Sequence, residues 1–408
     1  VSAQHLIEIG PGSGSDGGTV VATGTVTELG DNPDSHIGPY LTGRNQVKVR
    51  TGATEVEMFE HGTISLTTAP IHTVHALDIA IPRNRLTVVT GVSGSGKSTL
   101  VLDSLVPALQ NDERFRPDHI LAVDPNGIEH VNVVDATPIG INVRSTVATY
   151  SGVLDDLRRN YARLDSAKSD GLSAGDFSYN TGSLRCPRCQ GTGEITLDVQ
   201  FLPDVDIPCT ECNGRRYSPD ADAYRRPSAT GEGVLTLPDL LALTVAEAIP
   251  HVADMHKVRS RLAALRDVGL GYLTLSEATP ALSGGEAQRL KLATELGKTQ
   301  THTLFVFDEP TVGLHPEDVR VLIDVFSQLL DQGATVVVIE HDLDMMANAD
   351  HTLSIWGPVV EPMVVALSPP EYRNTLPTRA KAPRASTLQP TCRRNKEQDT
   401  TWNIPRMQ

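Results

Sequence analysis

Arg85-Leu86-Thr87-Val88-Val89-Thr90 runs directly into Gly91-Val92-Ser93-Gly94-Ser95-Gly96-Lys97-Ser98, and Thr99-Leu100-Val101-Leu102 follows. The first run is apolar and rich in β-branched residues, the pattern of a buried strand. The octapeptide matches GxxxxGK[ST], and the residues after it read as the opening of a helix. Each position has a chemical task. Gly91, Gly94 and Gly96 let backbone N–H groups face phosphate oxygens, and Lys97 reaches the β/γ oxygens. Ser98 offers its hydroxyl to Mg²⁺, and with Thr99 it forms the positive end of the helix. An ordinary glycine turn is the alternative, but it would need neither the strand before the loop nor the helix after it.

Downstream, Thr303-Leu304-Phe305-Val306-Phe307 reads as a second buried strand and ends in Asp308-Glu309-Pro310. A carboxylate at the tip of a strand beside a phosphate loop can hold hydrated Mg²⁺, the role expected of Asp308. Glu309 is then positioned to polarise an attacking water. Leu282-Ser283-Gly284-Gly285-Glu286-Ala287-Gln288-Arg289 opens a helix whose N-terminal N–H groups can bind an anion. A third strand, Ala334 to Ile339, leads into Glu340-His341-Asp342, with an imidazole at its C-terminal end.

Composition limits what else the chain can be. Its 408 residues are 39% hydrophobic and 21% charged, enough to build sizeable cores, which excludes wholesale disorder. The net charge of -15 argues against nucleic-acid binding by bulk electrostatics, so any such contact needs a local basic patch. The chain has no apolar stretch of membrane-spanning length and no signal-peptide plan, and a cytoplasmic location is expected. Four of the five cysteines form Cys186-Pro187-Arg188-Cys189 and Cys209-Thr210-Glu211-Cys212, with residues 190–208 between them. Two such knuckles suit a tetrahedral Zn²⁺ held by Cys186, Cys189, Cys209 and Cys212; two reduced structural pairs are the alternative. Arg185, Arg188, Arg215 and Arg216 surround them and read as a phosphate-contacting cluster or a solvated face.

The order phosphate loop, Leu-Ser-Gly-Gly, Asp-Glu, His resembles an ATP-binding cassette ATPase. The resemblance implies that Ser283, Gly284 and Gly285 close over a nucleotide held by a second cassette, and that His341 contacts the γ-phosphate. Phe177-Ser178-Tyr179-Asn180, the two cysteine pairs, Phe201-Leu202-Pro203-Asp204-Val205 and Asp267-Val268-Gly269-Leu270-Gly271-Tyr272 sharpen it. Together with the Ser283 motif they look like the second cassette of UvrA, the damage-sensing ATPase of bacterial nucleotide excision repair. The implied fold class is α/β, a P-loop ABC ATPase cassette carrying an inserted four-cysteine α+β zinc module. The implied function is ATP-dependent recognition of damaged or distorted duplex DNA. The implied partners are a second cassette, either another copy or a missing N-terminal half, and an excision-repair subunit. A self-resistance protein against DNA-binding drugs and a degenerate zinc- and ATP-binding fragment without turnover are the competing readings.

The chain departs from the family in two places. Asp135-Ala136-Thr137-Pro138-Ile139-Gly140 has Ala136 where the resemblance calls for a Mg²⁺-sensing Gln, which implies weakened turnover. Ile141-Asn142-Val143-Arg144-Ser145 keeps only the closing Arg-Ser of the family pattern.

Five segments are expected: 1–45, a remnant of a preceding cassette with its linker; 46–150, the first part of the core; 151–235, the zinc and DNA-contact insertion; 236–353, the signature helix and the rest of the core; and 354–408, a disordered or frameshifted tail. The last expectation comes from an internal repeat. Ala3-Gln4-His5 leads into a glycine-rich turn, whereas Ala349-Asp350-His351 leads into no such turn, and a strand edge near Val336 to Ile339 is expected to stay uncovered.

Overall fold

The computed structural model describes residues 3–10, 18–45, 50–110, 114, 116–140, 142–197, 205–296, 300–355 and 365–367. Phe201 to Asp204, quoted above for the resemblance, and Cys392 lie outside them.

The central sheet has six strands in the order Val365–Leu367, His351–Ile355, Leu86–Gly91, Thr335–Ile339, Thr303–Asp308 and His130–Val134. All neighbours pair in parallel except the first two, which are antiparallel. Strands buried on both faces need apolar side chains in both directions, which is why Leu86–Gly91 and Thr335–Ile339 show no polar alternation. Val89, Leu304, Val306, Val337, Ile339 and Leu353 project to one face. There they pack on Ile64, Leu66, Ile79 and Ile81 of a three-stranded antiparallel sheet, and on Leu100, Val101 and Leu105 beyond the phosphate loop. Their neighbours Leu86, Val88, Phe305, Phe307, Val336 and Val338 project to the other face, against the helices.

The largest helix there, Pro316–Asp331, buries Val319, Leu322, Ile323, Phe326 and Leu329 at helical spacing, and Phe326 lies 4.6 Å from Phe307 between ring centroids. Thr335–Ile339 is an interior strand whose Val336, Val337, Val338 and Ile339 are fully buried. The expected uncovered edge near Val336 to Ile339 is therefore not found: Leu86–Gly91 and Thr303–Asp308 cover it on either side.

Among the described residues, those from 151 to 235 share the core of the helices. Tyr161, Phe177, Tyr179, Tyr217 and Tyr224 belong to the same buried cluster as Leu237, Leu262 and Leu290. The four cysteines, with Ile195, form a separate small cluster. At the N-terminus, Leu6–Gly10 pairs antiparallel with Thr19–Gly24. The Glu8 carboxylate folds the following segment onto this hairpin, accepting from Ser35 Oγ at 2.6 Å, His36 N at 2.8 Å and Ile37 N at 3.1 Å.

At the other end, the expected break after residue 353 falls inside a strand. Ser354 and Ile355 are buried in His351–Ile355, which pairs with Leu86–Gly91 and with Val365–Leu367. Antiparallel pairing with Val365–Leu367 thus follows His351 without a glycine motif, and residues 356–364 and 368–408 lie outside the described residues. Among the described residues no helix is long and apolar enough to cross a membrane.

Candidate nucleotide site and metal centre

Parallel strands present their C-terminal ends along one edge, the place where open α/β sheets bind ligands. Three adjacent strands here end at Gly91, Asp308 and Ile339. Gly91 has φ +153°, and a Cβ there would sit 2.0 Å from the Ile355 carbonyl oxygen, so no other residue fits. Gly96 has φ +98°, and a Cβ there would meet Val74 Cγ2 at 2.3 Å. Gly94, at φ +78°, has open space where its Cβ would be. The loop backbone can therefore be approached closely from outside while it is locked from behind.

The helix begins at Lys97, and the N–H groups of its first turn have no partners within the helix. The Lys97 ammonium donates to the carbonyls of Gly91 at 2.9 Å and Val92 at 3.2 Å, which holds the charge over the loop. Ser95 Oγ is buried there without a hydrogen-bond partner among the described residues, as a loop shaped for a polyoxyanion would leave it. Ser98 is exposed and Thr99 half-buried on the first helical turn. These features fit a phosphate chain.

Asp308 faces an accumulation of negative charge. Burial, and next the carboxylates of Glu309, Asp135 and Glu340, push its carboxyl above the usual range, against the pull of Lys97. A divalent cation would relieve that repulsion, so the donor set fits Mg²⁺. Glu309 has φ +46°, a left-handed conformation that costs a bulky residue about 1–3 kcal/mol and persists only where its surroundings enforce it. Its N–H donates to the Ile339 carbonyl at 3.0 Å, and its Oε1 lies 3.3 Å from His341 Nε2. The structure thus brings the two expected catalytic side chains together from separate strands.

Ser283, Gly284 and Gly285 lie elsewhere. Ser283 caps the helix Gly284–Glu295: its Oγ accepts from Glu286 N at 3.3 Å, and its N–H donates to the Glu286 carboxylate at 2.7 Å. The tyrosine hydroxyl of Tyr272 donates to that carboxylate as well. Burial opposes ionisation of Glu286, but the Tyr272 and Ser283 hydrogen bonds keep its carboxyl below the usual range. A Cβ on Gly284 would sit 3.3 Å from Ala136, and one on Gly285 would sit 3.8 Å from Leu314. Gln288, quoted in the sequence only as part of a motif, ties this helix to the strand tips by donating to the carbonyls of Val134 at 3.2 Å and Asp308 at 3.1 Å.

Cys186, Cys189, Cys209 and Cys212 are all buried, with their sulfurs within 4.8 Å of one another. The Cys186–Cys209 and Cys189–Cys212 separations are 3.9 and 3.7 Å. A tetrahedron of thiolates about 2.3 Å from Zn²⁺ has edges of roughly 3.8 Å, whereas a disulfide would require about 2.05 Å. Burial opposes ionisation at Cys209, yet N–H groups from Cys212 and Glu211 bring its thiol down to about 7. Burial and the neighbouring sulfurs push Cys212 up to about 12. A cation among the four sulfurs would offset the repulsion between thiolates, so the residues fit a metal ion.

Two of the four arginines in the expected cluster are taken up by the protein itself, whereas Arg188 is exposed and Arg185 donates to the Asn180 carbonyl. Arg216 is buried, donating to the carbonyls of Val143 and Gly191 and lying over the Tyr179 ring. Arg215 is neutralised by Asp222 at 2.9 Å and Asp239 at 2.8 Å. Exposed cationic side chains collect instead on the helix His256–Leu265, which turns Val258, Leu262 and Leu265 inward and leaves His256, Lys257, Arg259 and Arg261 outside. Lys257 and Arg259 form no ion pair among the described residues, whereas Arg261 meets Asp156 at 2.7 Å. His256, Lys257 and Arg261 line a groove of about 570 Å³ together with Tyr150 and Thr294. Sequence reading passed over these residues, which fall within the six positions His256-Lys257-Val258-Arg259-Ser260-Arg261 and match no motif.

No family model matches the chain. UvrABC system protein A of Methanothermobacter thermautotrophicus is 41% identical to it over 366 residues, 88% of this chain and 37% of that protein. The Aquifex aeolicus protein of the same name is 41% identical over 362 residues, 88% of this chain and 38% of its own length. The crystal structure of UvrA2 from Deinococcus radiodurans superposes with a TM-score of 0.79 at 36% identity, covering 92% of this chain and 46% of that one. The chain therefore spans about two fifths of the length of the curated relatives it matches. Taken with the phosphate loop, the acidic strand tip and the four-cysteine cluster, this similarity marks the chain as UvrA-like, with an ABC-type cassette fold and a cysteine cluster that could hold a metal ion.

Proposed function

We propose that the chain binds and hydrolyses Mg-ATP as one of two paired cassettes, and that nucleotide turnover governs how it meets damaged or distorted duplex DNA in nucleotide excision repair. The observation that carries this reading is the meeting of Lys97, Asp308, Glu309 and His341 at one sheet edge in a chain 41% identical to UvrABC system protein A. Bound Mg²⁺ would draw charge from the transferring phosphate. Backbone N–H groups of Gly94 to Ser98 and the Lys97 ammonium would hold the phosphates, Ser98 and Asp308 would hold the cation, and Glu309 would accept the proton of the attacking water beside His341.

Pairing is supported by what surrounds the site. Val92 in the phosphate loop, Val312 after Glu309 and Leu343 after His341 are each more than half exposed, at 53%, 65% and 56%. Three apolar side chains around a polar site favour coverage by a second protein surface. The Ser283, Gly284 and Gly285 backbone of that second cassette would supply the closing anion contacts. An excision-repair subunit is a further proposed partner. Steady-state ATPase measurement, with and without ultraviolet-damaged duplex DNA, tests the whole reading; a chain that neither binds Mg-ATP nor DNA would sink it.

For the metal centre the proposed ion is Zn²⁺. Cys209→Ser is expected to take bound zinc from one per chain to none, measured by emission spectrometry, because the site rests on four thiolates. Disorder should stay within the knuckles at 186–214, since Phe177, Tyr179 and Tyr217 are anchored in the main core. Undiminished zinc would exclude this site.

For DNA, the favoured surface is the helix His256–Leu265. Each Lys or Arg that contacts a phosphate contributes about one unit to the slope of log K against log salt. Lys257→Ala with Arg259→Ala should therefore flatten that slope by about two, read by fluorescence anisotropy on a labelled duplex. An unchanged slope would move the DNA to another face.

A further inference from the structure

The carboxylate of Glu340 is buried, at 1% exposure, and beyond adding to the negative charge around Asp308 it has no assigned part in the nucleotide chemistry above. Its two oxygens serve different segments. Oε1 accepts from the backbone N–H of Thr311 at 2.8 Å and from the Thr311 hydroxyl. Oε2 accepts from the backbone N–H groups of His341 at 2.8 Å and Asp342 at 3.2 Å. Thr311 stands two residues after Glu309, and His341 is the side chain 3.3 Å from the Glu309 carboxylate. Glu340's own N–H is bonded at 3.0 Å to the Val89 carbonyl of the phosphate-loop strand. One buried side chain thus clamps both segments that carry the catalytic pair, and does so from the strand next to the phosphate loop.

We propose that Glu340 is a positioning residue that couples the His341 segment to the Glu309–Leu314 segment, so that neither moves without the other. This rests on the ATPase reading above. The chemistry explains the residue type. A carboxylate is a pure acceptor with about four lone-pair sites, and four donors converge on it here. Glutamine would present an amide NH₂ to one of the two donor pairs, breaking that half of the clamp while keeping the shape. Aspartate would keep both oxygens but is one methylene too short to reach both segments. Glu309 is held at φ +46°, a conformation that needs enforcement, and the clamp on Thr311 adds to the direct anchoring of the Glu309 N–H by the Ile339 carbonyl. The exposed Val312 lies in the same segment, so a shift at His341 would be transmitted towards whatever covers Val312.

The test uses the 408-residue chain, with amide hydrogen exchange and steady-state ATPase read in parallel. Glu340→Gln should speed exchange at the Thr311 and His341 amides together, by at least about tenfold, and lower kcat about 10- to 100-fold with KM nearly unchanged, as expected when catalytic groups are misplaced rather than removed. Thr311→Val retains its own N–H but removes the hydroxyl, and it should also speed exchange at His341, thirty residues away in sequence. Exchange at His341 untouched by Thr311→Val would overturn the coupling. So would a Glu340→Gln protein that exchanges faster throughout Thr335–Ile339 while its folded fraction keeps parental kcat, the signature of a purely structural residue. A parent chain without turnover would defeat the ATPase reading, and the exchange data would still decide the coupling.

Discussion

Lys97→Ala is expected to abolish Mg-ATP binding, with a loss of about 2–5 kcal/mol, the cost of removing one partner from a hydrogen-bonded charge pair. That is roughly 30- to several-thousand-fold in affinity. The reason lies in the loop. Gly91, Gly94 and Gly96 supply backbone dipoles, but Lys97 is the cation held over them, and its ammonium is gripped only by the neutral carbonyls of Gly91 and Val92. Removing it should leave the fold intact, because those carbonyls sit in a loop open to water. Isothermal titration with a non-hydrolysable ATP analogue, alongside a thermal melt, gives both quantities. Parental affinity in a folded Lys97→Ala protein would show that the loop does not hold the phosphates.

Glu309→Gln should separate binding from turnover, lowering kcat about 10²- to 10⁴-fold, the usual contribution of a general base, while nucleotide affinity stays at the parental level. The amide is isosteric and can keep its contact with His341, and the strained backbone, anchored by the Ile339 carbonyl, need not change. With hydrolysis blocked, bound ATP should hold two cassettes together, so light scattering with Mg-ATP should report twice the mass seen without nucleotide. Hydrolysis at the parental rate would transfer the proton-accepting role from Glu309 to another group. A lone chain under the same conditions would leave the apolar trio Val92, Val312 and Leu343 without the proposed cover.

Much of the site was legible because its parts are local. The phosphate loop is one contiguous octapeptide, each cysteine knuckle spans four residues, and Asp308-Glu309 ends a strand with an unmistakable apolar pattern. What escaped reading was assembled from residues far apart. Gln288 reaches two strand tips, Glu340 joins Thr311 to His341, and Arg215 and Arg216 meet carboxylates and carbonyls that no spacing rule announces. Of the expected tail, only residues 354, 355 and 365–367 are described, and they show pairing that no sequence motif announces. A repeat in sequence was sought after His351, but backbone pairing between His351–Ile355 and Val365–Leu367 requires no shared side chains.

The sequence by itself determined which groups exist for chemistry and the local backbone that presents them, because glycine torsions, strand and helix periodicity and ligand type are set within a few residues. Tertiary structure alone decided which of them meet. The order of strands in the sheet put Ile339 between the strand ends that carry Gly91 and Asp308, burial of Arg216 and carboxylate pairing of Arg215 made structural props of two arginines in the expected basic cluster, and the cations Lys257 and Arg259 came to lie exposed on His256–Leu265. Electrostatics and hydrogen bonding act over a few ångströms of space rather than along the chain, so their outcome is fixed only when the chain has folded.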